Sequence, residues 1–246
     1  MQYKEYQPNI LLSRYIENYW VSDDFGGEME FYKIIPDGCV DIIFTFDKTK
    51  EIFYANIIGA MTSFHEVSYA QNVQVFGICF KPAGITAFTR VPVYEFTNRD
   101  VDLTLVNTLI DKSFYETMPE KQHVQEIIAH TDNYFISRLP ILYRPEYQIF
   151  HAVDLIYDAK GQITPAKIAT EVCLCQRHFE RKFKSAIGFS PKTFAKIIRF
   201  KHALKCLRNN PCQDLLTIAV ECGYYDHTHL IKDFKTFSGN TPKTLR

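Results

Sequence analysis

The chain has 246 residues, 46% of them hydrophobic, and no net formal charge. That length accommodates two ordinary domains, and the apolar content supports packed cores and excludes disorder. No apolar run approaches the ~20 residues of a membrane helix, and no cationic start with an apolar core marks a signal peptide, so a cytoplasmic protein is expected.

In chain order, the spacing near Leu11–Tyr19 predicts a short amphipathic helix. Phe31–Ile35, Val40–Phe46, Ile52–Ile58 and Val73–Phe80 are rich in β-branched and aromatic residues and read as strands. Turn signals separate them: Asp23–Gly27, Pro36-Asp37-Gly38, Asp47–Lys50 and Lys81-Pro82-Ala83-Gly84. Short strands at this spacing predict a small barrel or sandwich over residues 1–100. From about Asp102 the period changes. Leu103, Val106, Leu109 and Ile110, then Val124, Ile127 and Ile128, recur at helical spacing and predict two helices broken near Met118-Pro119. Leu139–Glu146, with Pro140 and Pro145, reads as a linker, so 101–145 is a helical segment ending in that linker.

Residues 146–246 read as helical throughout. Tyr147–Tyr157 carries Ile149, Val153 and Ile156 on one face. Thr164 caps and Pro165 opens the next helix, with Ile168, Ala169 and Val172 inward. After a break at Cys173–Cys175, a helix from Gln176 to Ala186 buries Phe179, Phe183 and Ile187 and stops at Gly188. Ser190-Pro191 starts a long helix to about Arg208, and Asn209-Asn210-Pro211 ends it. Asp214 caps a helix through Ile218-Ala219 that Gly223 ends. Asp226 caps a last helix, with Leu230, Phe234 and Phe237 inward, closed by Gly239 before Thr241-Pro242.

The neutral total hides an asymmetry. Residues 147–246 hold 16 Lys and Arg against 8 Asp and Glu, and residues 1–146 hold 12 against 20, as expected when one domain meets a polyanion. The same region contains a repeat: FKSAIGFSPKTF at Phe183–Phe194 returns as FKTFSGNTPKTL at Phe234–Leu245. Two helices joined by a tight turn form a helix-turn-helix, whose second helix enters the DNA major groove. With the buried stripes assigned, the outward residues follow by subtraction. They are Gln176, Arg177, Glu180, Arg181 and Lys184 on the first unit, and His227, Thr228, Ile231, Lys232 and Lys235 on the second. Arg forks onto guanine, Gln onto adenine, and Glu accepts from cytosine. Lys192 and Lys243, near helix starts, are expected on phosphates with Lys184 and Lys235.

Residues 150–246 resemble the DNA-binding domain of AraC/XylS-family transcription regulators. The resemblance rests on Ile218-Ala219, Cys222-Gly223-Tyr224, Phe234-Lys235, Gly239 and Thr241-Pro242. In the first unit it rests on Ile168-Ala169, Phe179, Phe183-Lys184, Gly188, Ser190-Pro191 and Arg199. It implies base contacts by Arg177, Glu180 and Arg181, with His178 nearby, and by His227, Thr228 and Lys232. Cys175 stands where a small polar cap is common, and Tyr224 where Phe is usual. The N-terminal part resembles the cupin-like β domain of one branch of that family, through Tyr19-Trp20, Ile35–Asp41, Ile58-Gly59 and Phe80–Gly84.

The fold class implied is α+β multidomain, a cupin-like β-barrel or sandwich with accessory helices followed by an all-α tandem helix-turn-helix. Such an N-terminal domain senses a small molecule, dimerises, or both. Trp20, Asp41 and Lys81 are the candidate pocket residues, with core and turn roles as the alternatives. Expected partners are double-stranded DNA, a small-molecule effector, a second copy of the chain and, for an activator, RNA polymerase; no membrane partner is expected. A cupin-type metalloenzyme needs two or three His with a carboxylate, and residues 1–122 hold only His65, so no catalytic residue and no cofactor is assigned. Cys173-x-Cys175 with His178 lacks zinc-site spacing and a second pair, so no metal is assigned, and the seven cysteines are expected as free thiols.

Overall fold

The computed structural model describes residues 2–23, 31–47, 52–68, 73–106, 108–121, 123–139 and 146–246. The turns expected at Asp23–Gly27 and Asp47–Lys50 fall largely outside these residues, as do Pro140 and Pro145 of the expected linker. Eight strands are described: β1 (Gln2–Tyr6), β2 (Ile16–Asp23), β3 (Phe31–Ile34), β4 (Val40–Asp47), β5 (Ile52–Ile58), β6 (His65–Ser68), β7 (Val73–Phe80) and β8 (Asp100–Asp102). Six form an antiparallel sheet in the order β1-β2-β7-β4-β5-β8, and β3 pairs with β6 in a separate ribbon. Among the described residues the large sheet is open, with β1 and β8 at its edges, so the domain is sandwich-like and not a closed barrel.

The pleat sorts the side chains of the large sheet onto two faces. One face is apolar: Tyr19, Val21, Ile42, Phe44, Phe76, Ile78 and Phe80 are buried. Helices α1 (Lys112–Thr117) and α2 (Val124–Arg138) cover it, with Phe44 edge-on to Phe114 at 6.1 Å and Phe80 edge-on to Phe135 at 5.6 Å. The other face is mixed. The register aligns Asn18, Cys79 and Asp41 in one row and Trp20, Gly77 and Ile43 in the next.

The Trp20 indole lies across Gly77, and its Nε1 donates to Asp41 Oδ1 at 3.0 Å. A Cβ at residue 77 would fall inside the indole ring. Gly77→Ala is therefore expected to cost about 1–3 kcal/mol, as overpacking does. It should lower the thermal midpoint and shift the emission of the chain's single tryptophan. An unchanged melt and spectrum would show that the indole does not rest there.

Two sequence expectations need correction. Leu11–Tyr19 is not a helix: a 3₁₀ turn at Ile10–Leu12 leads straight into β2. A bulge between Ile16 and Asn18 puts Ile16 and Tyr19, three residues apart, on the same buried side, and this imitates helical spacing. Leu103–Ile110 is not a continuous α-helix either. It begins as a 3₁₀ turn capped by Asp102, and Leu109 N–H bonds to Val106 O as Val106 N–H does to Leu103 O. Successive i to i+3 bonds bring Leu103, Val106 and Leu109 to one side with nearly helical spacing. The break near Met118-Pro119 is present, as a 3₁₀ turn between α1 and α2.

Six helices follow: α3 (Tyr147–Asp158), α4 (Pro165–Glu171), α5 (Gln176–Ile187), α6 (Pro191–Asn209), α7 (Leu215–Glu221) and α8 (His227–Ser238). Thr164 Oγ1 accepts from Lys167 N, Ser190 Oγ from Thr193 N, and Asp214 from Leu216 N and Thr217 N. Phe183 and Phe194 pack at 5.8 Å in the first half, and Phe200 and Phe234 at 4.9 Å in the second. One hydrophobic cluster runs from the sheet through these helices. Among the described residues, no helix is long and apolar enough to cross a membrane.

Candidate nucleic-acid interface

Helices α4 and α5 form one helix-turn-helix pair, and α7 and α8 form the other. The first turn reverses at Cys173 (φ 56°) and the second at Gly223 (φ 74°). The 19-residue α6 connects the pairs and spans about 28 Å. Asp226 caps α8, its Oδ1 accepting from His229 N at 2.8 Å and sitting 3.0 Å from His229 Nδ1. The hydrogen bond from the α8 backbone holds the Asp226 carboxyl below its usual range. At α5 the Cys175 side chain makes no capping hydrogen bond to the helix.

The inward stripes are buried as expected: Phe179, Phe183 and Ile187 on α5, Leu230, Phe234 and Phe237 on α8. Opposite them Gln176, Arg177 and Arg181 are exposed, while His178 and Glu180 are half-buried. Gln176 Nε2 donates to Glu180 Oε1 at 2.8 Å one turn along, so this pair is pre-ordered. Arg177 and Arg181 have no ion-pair partner among the described residues. His227, Thr228 and Lys232 are exposed on α8, and Lys184, Lys192, Lys235 and Lys243 are exposed as well. Lys184 Nζ stands 5.9 Å from the Tyr94 ring, near the N-terminal domain.

One residue went unread in the sequence. Lys196 lies one turn beyond Lys192 on α6, and both line a cleft with Gln176, Glu180 and Pro165. The i, i+4 lysine spacing was the available signal.

Residues 168–246 match a helix-turn-helix domain family, over a stretch that runs from within α4 through the second pair. The chain carries an AraC-type DNA-binding domain. Its functional class is DNA-binding transcription regulation. Residues 4–102 match a family described as a domain of unknown function (DUF6597). A comparison with curated proteins gives no match. Among solved structures, ToxT from Vibrio cholerae is similar to the chain: 10% identical over 92% of this chain and 97% of that one, with a TM-score of 0.46. An unsaturated fatty acid-bound form of ToxT is 12% identical over 98% and 96%, with a TM-score of 0.41. The assignment of the AraC-type domain rests on the family match and the helices, not on these likenesses.

A cavity of about 980 Å³ separates the mixed sheet face from α3. Asn18, Trp20, Ser22, Asp41 and Cys79 line one side, and α3 supplies Phe150, Val153, Asp154 and Tyr157 on the other. Burial pushes the Asp41 carboxyl up to about 7, against the pull of the Trp20 N–H and with a further push from Asp37. Among the described residues, Asn18 Oδ1 and Ser22 Oγ are buried without a hydrogen-bond partner. Trp20 is thus both packed and cavity-lining. Lys81 also borders the cavity, with its Nζ 3.5 Å from Glu17. At Pro36-Asp37-Gly38 the chain bends at Gly38 (φ 86°), with Asp37 Oδ1 accepting from Cys39 N.

The strand-rich part touches the helices after residue 146 closely at other points. Arg14 lies over the rings of Tyr147 and Phe150 on α3, and Tyr15 meets Phe150 edge-on at 6.2 Å. A Cβ at Gly38 would strike the Phe194 ring of α6. Gly188 and Gly239 end α5 and α8 with φ of 101° and 71°, in the left-handed region that side chains avoid. Each also abuts the N-terminal domain: Gly188 at Val93 and Thr97, Gly239 at Phe64, whose ring a Cβ would approach to 2.8 Å.

Proposed function

We propose that the chain is a sequence-specific transcription regulator whose DNA binding is set by a small molecule in the cavity between the sheet and α3. Gln176, Arg177, Glu180 and Arg181 read bases from α5, and His227, Thr228 and Lys232 read them from α8. Lys184, Lys192, Lys235 and Lys243, joined by Lys196, hold phosphates. Residues 1–100 act as the sensing and dimerisation domain, 101–145 as helical support and linker, and 146–246 as the DNA-binding domain. β1, an edge strand among the described residues, offers backbone for a homodimer, and an activator would also touch RNA polymerase. No catalytic role is assigned. A DNA partner puts the protein in the cytoplasm.

The observation that carries the ligand reading is the cavity's polar lining. Buried oxygens are ordinarily satisfied, and here Asn18 Oδ1 and Ser22 Oγ have no partner among the described residues, beside the Asp41 carboxyl. These are acceptors or adaptable hydroxyls, flanked by the rings of Trp20 and Tyr157. They suit a small molecule with an apolar body and N–H or O–H donors. Its opposite wall is the first helix of the DNA-binding domain, so occupancy would bear directly on that domain.

A thermal-shift screen of amines, sugars and other metabolites, followed by DNA binding with and without each hit, tests this. A hit should stabilise the protein, lose its effect in Asp41→Asn or Ser22→Ala, and change DNA affinity. Stabilisation by no compound would leave the N-terminal domain a dimerisation or protein-contact module.

The phosphate assignments have a separate readout. Lys192→Ala and Lys196→Ala should weaken binding alike for all sequences and reduce the slope of log K against log salt by about 1 each. An unchanged slope would remove those lysines from the interface.

A further inference from the structure

Three ligand-type side chains converge away from both the cavity and the DNA-reading faces. His202 and Cys206 stand one turn apart on α6, and Cys222 follows the last residue of α7. One donor atom from each lies within 4.8 Å of the others. Cys206 Sγ is 3.7 Å from His202 Nε2. In a tetrahedral zinc site, Zn–S of ~2.3 Å and Zn–N of ~2.1 Å set sulfur and nitrogen roughly 3.6 Å apart. The existing separation therefore matches without movement of the helix. Cys222 is buried, while Cys206 and His202 are half-buried, so the cluster is open on one side.

We propose that His202, Cys206 and Cys222 bind one zinc ion, with water in the fourth position. Binding replaces two S–H protons, which pass to solvent, with two Zn–S bonds. No oxidant is involved. Two thiolates and a neutral imidazole leave the loaded site uncharged, which limits repulsion from Lys160 and Lys205 near His202. The competing account is a weak thiol–imidazole contact over an ordinary core cysteine. That account explains Cys222, but not the placement of two further donors at metal-site separation on the facing helix. The ion would tie the connecting helix α6 to the end of α7. From there the chain passes through Gly223 into α8, so the metal would fix the second DNA-reading unit against the first.

The test uses reduced full-length protein titrated with zinc against a chromophoric chelator. Cobalt serves as a spectroscopic probe of tetrahedral thiolate ligation. The exposed thiols Cys173, Cys175 and Cys212 are changed to serine in a parallel sample, so that surface binding is separated from binding at the cluster. The expected result is one zinc per chain in both samples, with intense cobalt bands. Cys206→Ala and His202→Ala, at half-buried positions, should each weaken zinc by about tenfold or more, since even partners one shell out cost that much. Zinc should raise the thermal midpoint of the parent and not of Cys206→Ala. Binding below one equivalent, binding lost in the serine background, or binding unchanged in both variants would overturn the proposal.

Discussion

Arg177→Ala and Arg181→Ala are each expected to relax sequence preference at a single base position while leaving the fold intact. Both side chains are exposed on the first turns of α5, where a helix lying in the major groove reaches base edges. Among the described residues neither carries an ion pair that the substitution would break. A bidentate guanine contact is worth about 1–3 kcal/mol of discrimination, so the preferred base should lose roughly 5- to 150-fold over its competitors. Glu180→Ala should behave differently. It frees Gln176 from its hydrogen bond, so two neighbouring positions should change together. Sites selected from random DNA by parent and variants supply the measurement. A motif unchanged in both arginine variants would mean that α5 does not read bases.

Asp41→Asn is expected to remove a fall in stability between about pH 4 and pH 7. Folding raises this carboxyl from 3.8 to about 7 because burial penalises its charge. Below both values the group is protonated in either state and contributes nothing to the difference. Between them the unfolded chain has released the proton and the folded chain still holds it. The native state then binds more protons, and stability falls as pH rises, levelling off above about 7. At most a few kcal/mol is lost across that window. Asparagine keeps an oxygen for the Trp20 N–H and cannot ionise, so the variant should be the more stable protein at about pH 8 and near parity at about pH 4. Denaturant midpoints across this range decide the matter, and an identical slope in the variant would remove Asp41 as its source. A cationic ligand would invert the balance. It would bind the ionised carboxylate, so its affinity should rise through pH 7, with proton release on binding below that.

The helical half was legible because its signals are local. Thr164, Ser190, Asp214 and Asp226 cap the helices that their spacing announced, and Gly188 and Gly239 stop two of them. The exposed faces of α5 and α8 followed by subtraction from the buried stripes. The sheet was legible where strands are long and central, as at Val40–Asp47 and Val73–Phe80. It was illegible at β2, where a bulge imposed a false period, and at β1, β6 and β8, which are short and paired on one side. Trp20, Asp41 and Lys81, the candidate pocket residues, do line the cavity, but its extent and its α3 wall could not be read. That Asp41 lies beside Trp20 depends on cross-strand register, with Gly77 opposite Trp20 leaving room for the indole. The three donors on α6 and α7 were hidden for a related reason: Cys222 is far from His202 in the chain, and only the packing of two helices brings it near.

The doubled glycine of the repeated stretch bears on how far this protein can be treated as two interchangeable parts. Gly188 and Gly239 stop their helices, yet each also presents bare backbone to a side chain of the N-terminal domain, and Gly38 does the reverse toward Phe194. A graft that joined this DNA-binding half to another sensor would have to reproduce both members of each contact, the glycine and the group that fills its missing Cβ. Modularity in the sequence is therefore not modularity in the assembled chain, and the interchangeable unit is the pair of domains with its seam.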